Sequence, residues 1–301
     1  MKVAITGATG LIGSALAPFL WSQGCTTVAL LRASGATSKI PSWDPATGEL
    51  SAGALTGVDA VLHLAGENIA AARWTKSQKA RIRDSRVDGT KRLSTAIAEL
   101  NVLPKTLIIA SAIGYYGDRG DERVTESSPA GTGFLPGVCQ AWEAAADPAR
   151  AAGIRVVQLR IGIVLTPDGG ALGQMLLPFK MGVGGVIGSG RQYMSWVAID
   201  DVLTSVLHAL RTEELKGAAN VVAPNAVSNA EFTKTLGRVL RRPTVLPMPA
   251  FAARLAFGEM ADALLLASAN VAPTRLEETG FKFGYPILEE ALRHVLGVRG
   301  K

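Results

Sequence analysis

Cysteine, histidine and aromatic residues are all scarce in this sequence. Cys25 and Cys139 are the only cysteines among 301 residues, too few for a disulfide framework or for a zinc site built on paired CxxC elements. That scarcity points to a reducing compartment, and no metal site is expected. The chain enters Lys2-Val3-Ala4-Ile5 directly, without a charged segment, apolar stretch and cleavage site, so no secretion signal is expected. The most apolar later segment, Ala261 to Ala272, is shorter than the about 20 residues a membrane span needs. These gaps together predict a cytoplasmic protein with no membrane partner.

Apolar residues make up 48% of the chain and charged ones 19%, the balance of an ordinary soluble enzyme with a well-filled core. A small molecule is the expected partner. The net charge of +6 raises the question of nucleic acid. One region is locally basic, holding Arg73, Lys76, Lys79, Arg81, Arg83, Arg86, Lys91 and Arg92 against Asp84 and Asp88. Stacking aromatics are nearly absent from it, so no nucleic-acid partner is expected. A solvated helix face or a contact to a cofactor phosphate accounts for the same residues.

Over the first ~160 residues, short apolar runs alternate with helical periodicity, the pattern of repeated βαβ units on a parallel sheet. Strands are predicted at Val3 to Thr6, Thr27 to Leu31, Ala60 to Leu64, Thr106 to Ala110 and Arg155 to Leu159. Apolar residues recur at helical spacing after the first strand and again around Leu93 to Leu100. A further helix is predicted from Phe134 to Ala152, with Gly153 as its C-cap. Residues 166 to 192 are glycine-rich and aperiodic, and read as long loops around a short helix. Helices are expected again at Asp200 to Leu210, at Asn229 to Leu240 with Ser228 as cap, at Phe251 to Ala269 and at Ile287 to Leu296. The fold class is therefore α/β: a Rossmann-type doubly wound parallel sheet, with a smaller, mostly helical C-terminal substrate region. The expected division is 1–165 for the nucleotide-binding domain, to which later segments return, and 166–301 for the substrate-side loops and C-terminal domain.

The first strand runs into Gly7-Ala8-Thr9-Gly10-Leu11-Ile12-Gly13. Gly7 permits a tight turn, Gly10 lets the backbone approach a pyrophosphate, and Gly13 lets the helix lie close to the strand. The helix N-terminus then faces phosphate with free N–H groups and the positive end of its dipole. Thr9, Leu11 and Ile12 complete this cofactor turn. The second strand ends at Leu31-Arg32, where an NAD binder places a carboxylate on the ribose 2′-hydroxyl. A guanidinium there suits a 2′-phosphate, so NADP(H) is expected over NAD(H).

Thr6 to Gly13, the strand end Val61-Leu62-His63-Leu64-Ala65-Gly66 and the turn Gly114-Tyr115-Tyr116-Gly117 resemble an extended short-chain dehydrogenase/reductase. With Gly66-Glu67-Asn68, Ser85-Arg86, Gly169-Gly170-Ala171-Leu172, Gly188-Ser189-Gly190-Arg191-Gln192 and Gly280-Phe281, the chain most resembles the atypical epimerase family proteins that end in a domain of unknown function. The resemblance spans essentially the whole chain. It implies that Leu64, Ala65 and Gly66 border the cofactor and that Arg86 and Arg160 contact it.

The same resemblance exposes a further lack. The superfamily's Tyr and Lys, four residues apart on a helix, match Leu135 and Cys139 here, and neither moves a proton as that mechanism requires. Ser111 falls one residue before the family's carbonyl-orienting position, leaving Ser111, Tyr115 and Tyr116 as the catalytic candidates. Glu67 is the nearest carboxylate, in a helix-capping or ligand-binding role. The family's diphosphate-gripping Arg is matched by Met194, with Arg191, Gln192 and Trp196 nearby as substrate candidates. Two functions fit these residues: an NADP(H)-dependent oxidoreductase or epimerase-like enzyme on a small molecule, and a non-catalytic NADP(H)-binding sensor. His63 and Cys139 read as core residues.

Overall fold

The computed structural model describes residues 1–33 and 40–298. Seven strands form one parallel sheet: β1 Lys2–Thr6, β2 Thr26–Arg32, β3 Ser42–Trp43, β4 Ala60–His63, β5 Thr106–Ala112, β6 Arg155–Ile161 and β7 Gly217–Val221. Their order across the sheet is β7-β6-β5-β4-β1-β2-β3. The chain therefore winds outward in one direction from β1 and in the other from β4. The crevice at that reversal, beyond the strands' C-terminal ends, is where such sheets take ligands.

Alternation along each strand supplies both faces of the sheet. Val3 and Ile5 of β1, with Leu62, Ile108, Val157 and Leu159, pack against helices α1 (Leu11–Ser22) and a later helix through Leu16, Leu20, Val202 and Val206. Ala4, Val61, Leu107, Ile109 and Val156 face the other way. They meet α2 (Lys76–Ala98), α3 (Phe134–Ala144) and α4 (Asp147–Ala151) through Leu93, Ile97, Trp142 and Ala149. A separate core lies beyond the sheet. Leu172 and Phe179 of α5 (Gly170–Lys180), Phe232 and Leu236 of α7 (Asn229–Leu240), and Leu288 and Leu292 of a C-terminal helix enclose Trp196 there. The intervening α6 (Ile199–Arg211) carries Val202 and Val206 back to the sheet.

Several elements differ from the sequence expectation, each for a local reason. The helix expected over Phe134 to Ala152 breaks between α3 and α4 at Ala145 and Ala146, just ahead of Pro148, which has no N–H to continue the ladder. The helix expected over Phe251 to Ala269 ends as α8 (Ala250–Phe257) at Gly258, whose φ of +63° is left-handed. A π-helical turn follows at Ala261–Leu266. Strand β7 was not expected, because Gly217-Ala218-Ala219-Asn220-Val221 has small residues where a strand signal needs large ones. Ser228 does cap α7, its hydroxyl accepting from the Glu231 N–H at 3.2 Å.

The C-terminal residues fold back onto the sheet side. Asn270–Val271 pairs in parallel with Arg123–Val124. It is followed by α9 (Thr274–Glu278) and α10 (Leu288–Val295). The buried Asp201 carboxylate at the start of α6 accepts the Gly284 and Tyr285 N–H groups at 2.7 and 3.0 Å, pinning the approach to α10.

Candidate functional site

The turn from β1 into α1 is built so closely that its glycines are steric requirements. A Cβ on Gly13 would lie 2.2 Å from the Gly7 carbonyl oxygen, far inside any tolerable contact. One on Gly7 would lie 2.8 Å from the Ala65 nitrogen, and Gly7 also has a φ of +69°. Strand β4 is the neighbour of β1, with Thr6 opposite His63, so the chain leaving β4 at Leu64 crosses directly over the turn. The backbone is folded back by the Gly10 N–H donating to the Gly7 carbonyl at 3.0 Å. Gly10 caps α1 without any side chain, which leaves the first-turn amides facing the crevice. Thr9 and Gly10 are exposed, and Leu11 and Ile12 half-buried. On the adjacent strand, Leu31 and Arg32 are exposed at the end of β2.

Leu11 also touches the second half of the chain. Cβ atoms on Gly169 and Gly170 would come within 3.3 and 3.2 Å of its side chain. The glycine-rich stretch after Leu165 therefore rests on the first residue of α1.

Arg86 braces the opposite wall. Its Nη1 donates to the Glu67 and Ile82 carbonyls at 2.9 and 3.2 Å, and its guanidinium lies against Gly66 and over the Trp142 ring. Glu67 is held against the side of α2: its N–H donates to Ser85 Oγ at 3.0 Å and its Oε1 accepts from Gln78 Nε2 at 3.3 Å. The basic residues of 73–92 disperse around α2. Lys79 pairs with Glu259, Arg83 with Asp84, and Arg92 donates to the Pro45 carbonyl.

His63 is wholly buried, its Nδ1 sharing a proton with Thr6 Oγ1 at 2.7 Å and its Nε2 without a partner among the described residues. Burial pulls its pKa from the ordinary 6.5 down to about 4. The native ring stays neutral where the unfolded one takes up a proton. Stability is therefore complete above pH 6.5 and is lost as pH falls towards 4, by about 3 kcal/mol. Urea titrations at pH 7 and pH 4 should show this loss in the native chain and a correspondingly smaller one in His63→Gln. Equal losses in both would refute it.

Two of the three catalytic candidates have their hydroxyl groups hydrogen-bonded within the protein. Ser111, 3% exposed, donates to Glu143 Oε1 at 2.7 Å. Tyr116 is fully buried, donating to Asn220 Oδ1 at 2.7 Å and accepting from Arg160 Nη1 at 3.0 Å. Burial pushes its phenol up to about 12, an unsuitable acid near neutrality. Arg160, expected at the cofactor, is an internal support of this wall. It is 4% exposed and grips Glu143 with two hydrogen bonds of 2.8 Å. Its guanidinium carbon lies 3.4 Å from the centre of the Tyr115 ring. Tyr115, in the 3-10 turn Ile113–Tyr115 that ends β5, is half-buried, and its hydroxyl has no hydrogen-bond partner among the described residues. Leu135 and Cys139 stand beside this turn, within 3.5 and 3.9 Å of a Cβ placed on Gly114. Burial pushes the Cys139 thiol up to about 12, so it is an inert part of that wall.

Asn220 and Glu126 were not singled out from the sequence. Glu126 Oε1 accepts from the Asn220 and Arg275 N–H groups at 2.9 and 3.1 Å, joining β7 to α9. Asn220 lies in the strand that carried no signal, and Glu126 lies in a loop, where no periodicity marks a buried carboxylate.

Of the substrate candidates, Gln192 and Trp196 have their side-chain N–H groups on backbone carbonyls. Gln192 donates to the Ile187 and Leu265 carbonyls at 2.9 and 3.1 Å. Trp196 is fully buried, its indole N–H on the Asn225 carbonyl at 3.1 Å. Met194 is buried with its sulfur accepting from Asn229 Nδ2 at 3.4 Å. Arg191 and Glu67 retain charged, accessible side chains. The C-terminal part reaches across to α2: Lys79 Nζ meets Glu259 at 2.7 Å and lies 4.6 Å from the centre of the Phe134 ring. Among the described residues no group of three His, Cys, Asp or Glu side chains is placed to hold a metal ion.

Comparison with known proteins agrees with this geometry. Residues 3–223 match the model of the NAD dependent epimerase/dehydratase family, and residues 248–295 match a domain of unknown function. An epimerase family protein of Mycobacterium bovis is 46% identical over 290 residues, covering 96% of each chain. The crystal structure of human epimerase family protein SDR39U1 with NADPH is similar at 34% identity and a TM-score of 0.89, over 99% of both chains. A nucleoside-diphosphate sugar epimerase from Corynebacterium glutamicum is 38% identical with a TM-score of 0.80, covering 99% of this chain and 58% of that one. A doubly wound sheet, a sterically closed glycine turn at its crevice and these matches over nearly the full length place the chain in the NAD dependent epimerase/dehydratase family, to which it belongs.

Proposed function

We propose that this protein binds NADP(H) at the crevice beyond β1, β2 and β4 and acts on a small molecule as an oxidoreductase or epimerase-like enzyme. The observation that carries the cofactor is the glycine turn, where a Cβ on Gly13 would strike the Gly7 carbonyl at 2.2 Å. Only a turn this tight brings the uncapped amides of α1 to the crevice for a pyrophosphate. Thr9 to Gly13 would hold the phosphates, and Leu64 to Gly66, braced by Arg86, would form the facing wall. Arg32, exposed at the end of β2, favours a 2′-phosphate over a bare ribose hydroxyl. The human relative's NADPH supports the same choice. Bound NADP(H) supplies or accepts a hydride.

Tyr115 is the residue we assign to the substrate. Its hydroxyl is the one phenol at the end of β5 left uncommitted among the described residues, and Arg160 fixes its ring from beneath. Its role is to orient a substrate oxygen by a hydrogen bond. Arg191 and Glu67 supply the remaining charged groups on the substrate side. A second reading, a non-catalytic NADP(H)-responsive protein, is favoured by Leu135 and Cys139, which fill the wall where a proton-transfer pair would stand.

Fluorescence titration with NADPH and NADH tests the cofactor. NADPH should bind tighter, and Arg32→Asp should weaken it at least about tenfold while sparing NADH. No binding of NADPH would overturn the proposal. NADPH absorbance should then be followed with a panel of small carbonyl compounds. Oxidation that Tyr115→Phe slows about 100-fold supports the enzyme. Tight binding without turnover assigns the regulatory reading.

A further inference from the structure

The end of α5, the segment after α7 and α8 together expose apolar side chains and a set of Lys and Arg. Leu177 and Met181, four apart on the end of α5, are 66% and 62% exposed; Phe251 and Leu255, four apart on α8, are 71% and 77% exposed. Residues four apart share one side of a helix, so each helix presents an apolar pair to solvent. Between them lie Val245 and Leu246, also exposed. The pieces are stitched together: Arg242 Nε donates to the Lys180 carbonyl at 2.9 Å, and the Met248 N–H to the Val186 carbonyl at 2.8 Å. Six exposed large apolar side chains on segments joined in this way are a grouping of the kind that marks an interaction surface.

Its charge is one-sided. Residues 169–199 and 232–258 contain seven Lys and Arg and no Asp or Glu. Arg238 and Arg254 are paired with Glu289 and Asp262 from neighbouring segments. Lys180, Arg241 and Arg242, which border the apolar side chains, are exposed and form no ion pair among the described residues. The basic stretch on α2 differs, since Glu67, Asp84 and Glu259 answer it.

We propose that this face lies on a membrane surface bearing acidic phospholipids, with Phe251, Leu255, Val245, Leu246, Leu177 and Met181 entering the headgroup boundary. Lys180, Arg241 and Arg242 meet the lipid phosphates. A second copy is the wrong occupant, because a two-fold contact would set these cations against their own equivalents. No helix among the described residues is long and apolar enough to cross a membrane, so the attachment is peripheral. This inference revises the expectation of no membrane partner and is independent of the cofactor.

The test is sedimentation of the full chain with vesicles of phosphatidylcholine, alone or with phosphatidylglycerol at about one part in three. The protein should pellet with the acidic vesicles, and less so as salt is raised. Phe251→Glu with Leu255→Glu should lower the bound fraction at least about tenfold, and Lys180→Gln with Arg241→Asn should lower it only for acidic vesicles. An unchanged thermal unfolding curve shows that each variant is folded. No pelleting with acidic vesicles, or equal pelleting of the Phe251/Leu255 variant, would overturn the proposal. A dimer that this variant dissolves, without vesicle binding, would instead give the face to a second copy.

Discussion

Gly13→Ala is expected to abolish useful NADPH binding, raising Kd at least about 100-fold, and to lower stability by about 1–3 kcal/mol. The methyl group has nowhere to go. Its Cβ would lie 2.2 Å from the Gly7 oxygen and 2.8 Å from Ala8 Cα, both backbone atoms that no rotamer change can clear. The turn must open, and with it the spacing between the α1 amides and the Leu64–Gly66 wall. Gly137→Ala is the matched control. It sits inside α3 with nothing within 4 Å of the added methyl, so helix propensity alone should act, adding up to about 1 kcal/mol of stability. Calorimetric titration with NADPH and urea unfolding of both variants check the pair. Retained affinity in Gly13→Ala would remove the main support for the cofactor site.

The second large effect is expected from Arg160→Met. This guanidinium and Glu143 are 4% and 11% exposed, so removing one partner strands the other's charge inside the protein. Such a break typically costs about 3–5 kcal/mol, whereas replacing both partners with apolar groups restores much of it. Glu143→Leu combined with Arg160→Met should therefore be more stable than Arg160→Met alone in urea unfolding. The recovery should stop short of complete, because the Ser111 hydroxyl loses its acceptor and Tyr116 one of its donors. A cost below about 1 kcal/mol for Arg160→Met would mean that the pair is not the internal support described.

The parts of the molecule that follow from local sequence were legible from it. The glycine turn was read because each glycine answers a steric need within seven residues, and five of the seven sheet strands because they are runs of large apolar side chains. Strand β7 was hidden by its alanines, which give no hydrophobic signal and form a strand only because β6 offers an edge to pair with. The helix breaks at Ala146 and Gly258 fell inside alanine-rich periodicity, where one residue decides the boundary. At the site, sequence could mark Ser111, Tyr116 and Arg160 as interesting but not show that they spend their hydrogen bonds on one another. That depends on Glu143 and Asn220, which are 32 and 104 residues away from their partners. The partners of Gln192 and Trp196 were hidden for the same reason: a polar or aromatic residue near a glycine-rich loop looks free until its neighbours are placed.

The late arrival of β7 has a consequence for biosynthesis. The sheet is finished only when residues 217–221 reach β6, more than fifty residues after β6 itself has been made. A nascent chain ending near Leu165 carries the open hydrogen-bonding edge of β6, along a strand whose Val157, Leu159 and Ile161 give it one apolar side. Exposed edges of that kind recruit other strands. Long-range pairing of parallel strands is also slow to form. The interval between translating the sixth and seventh strands is thus the period of greatest aggregation hazard for this protein, and the natural moment for a chaperone to hold it.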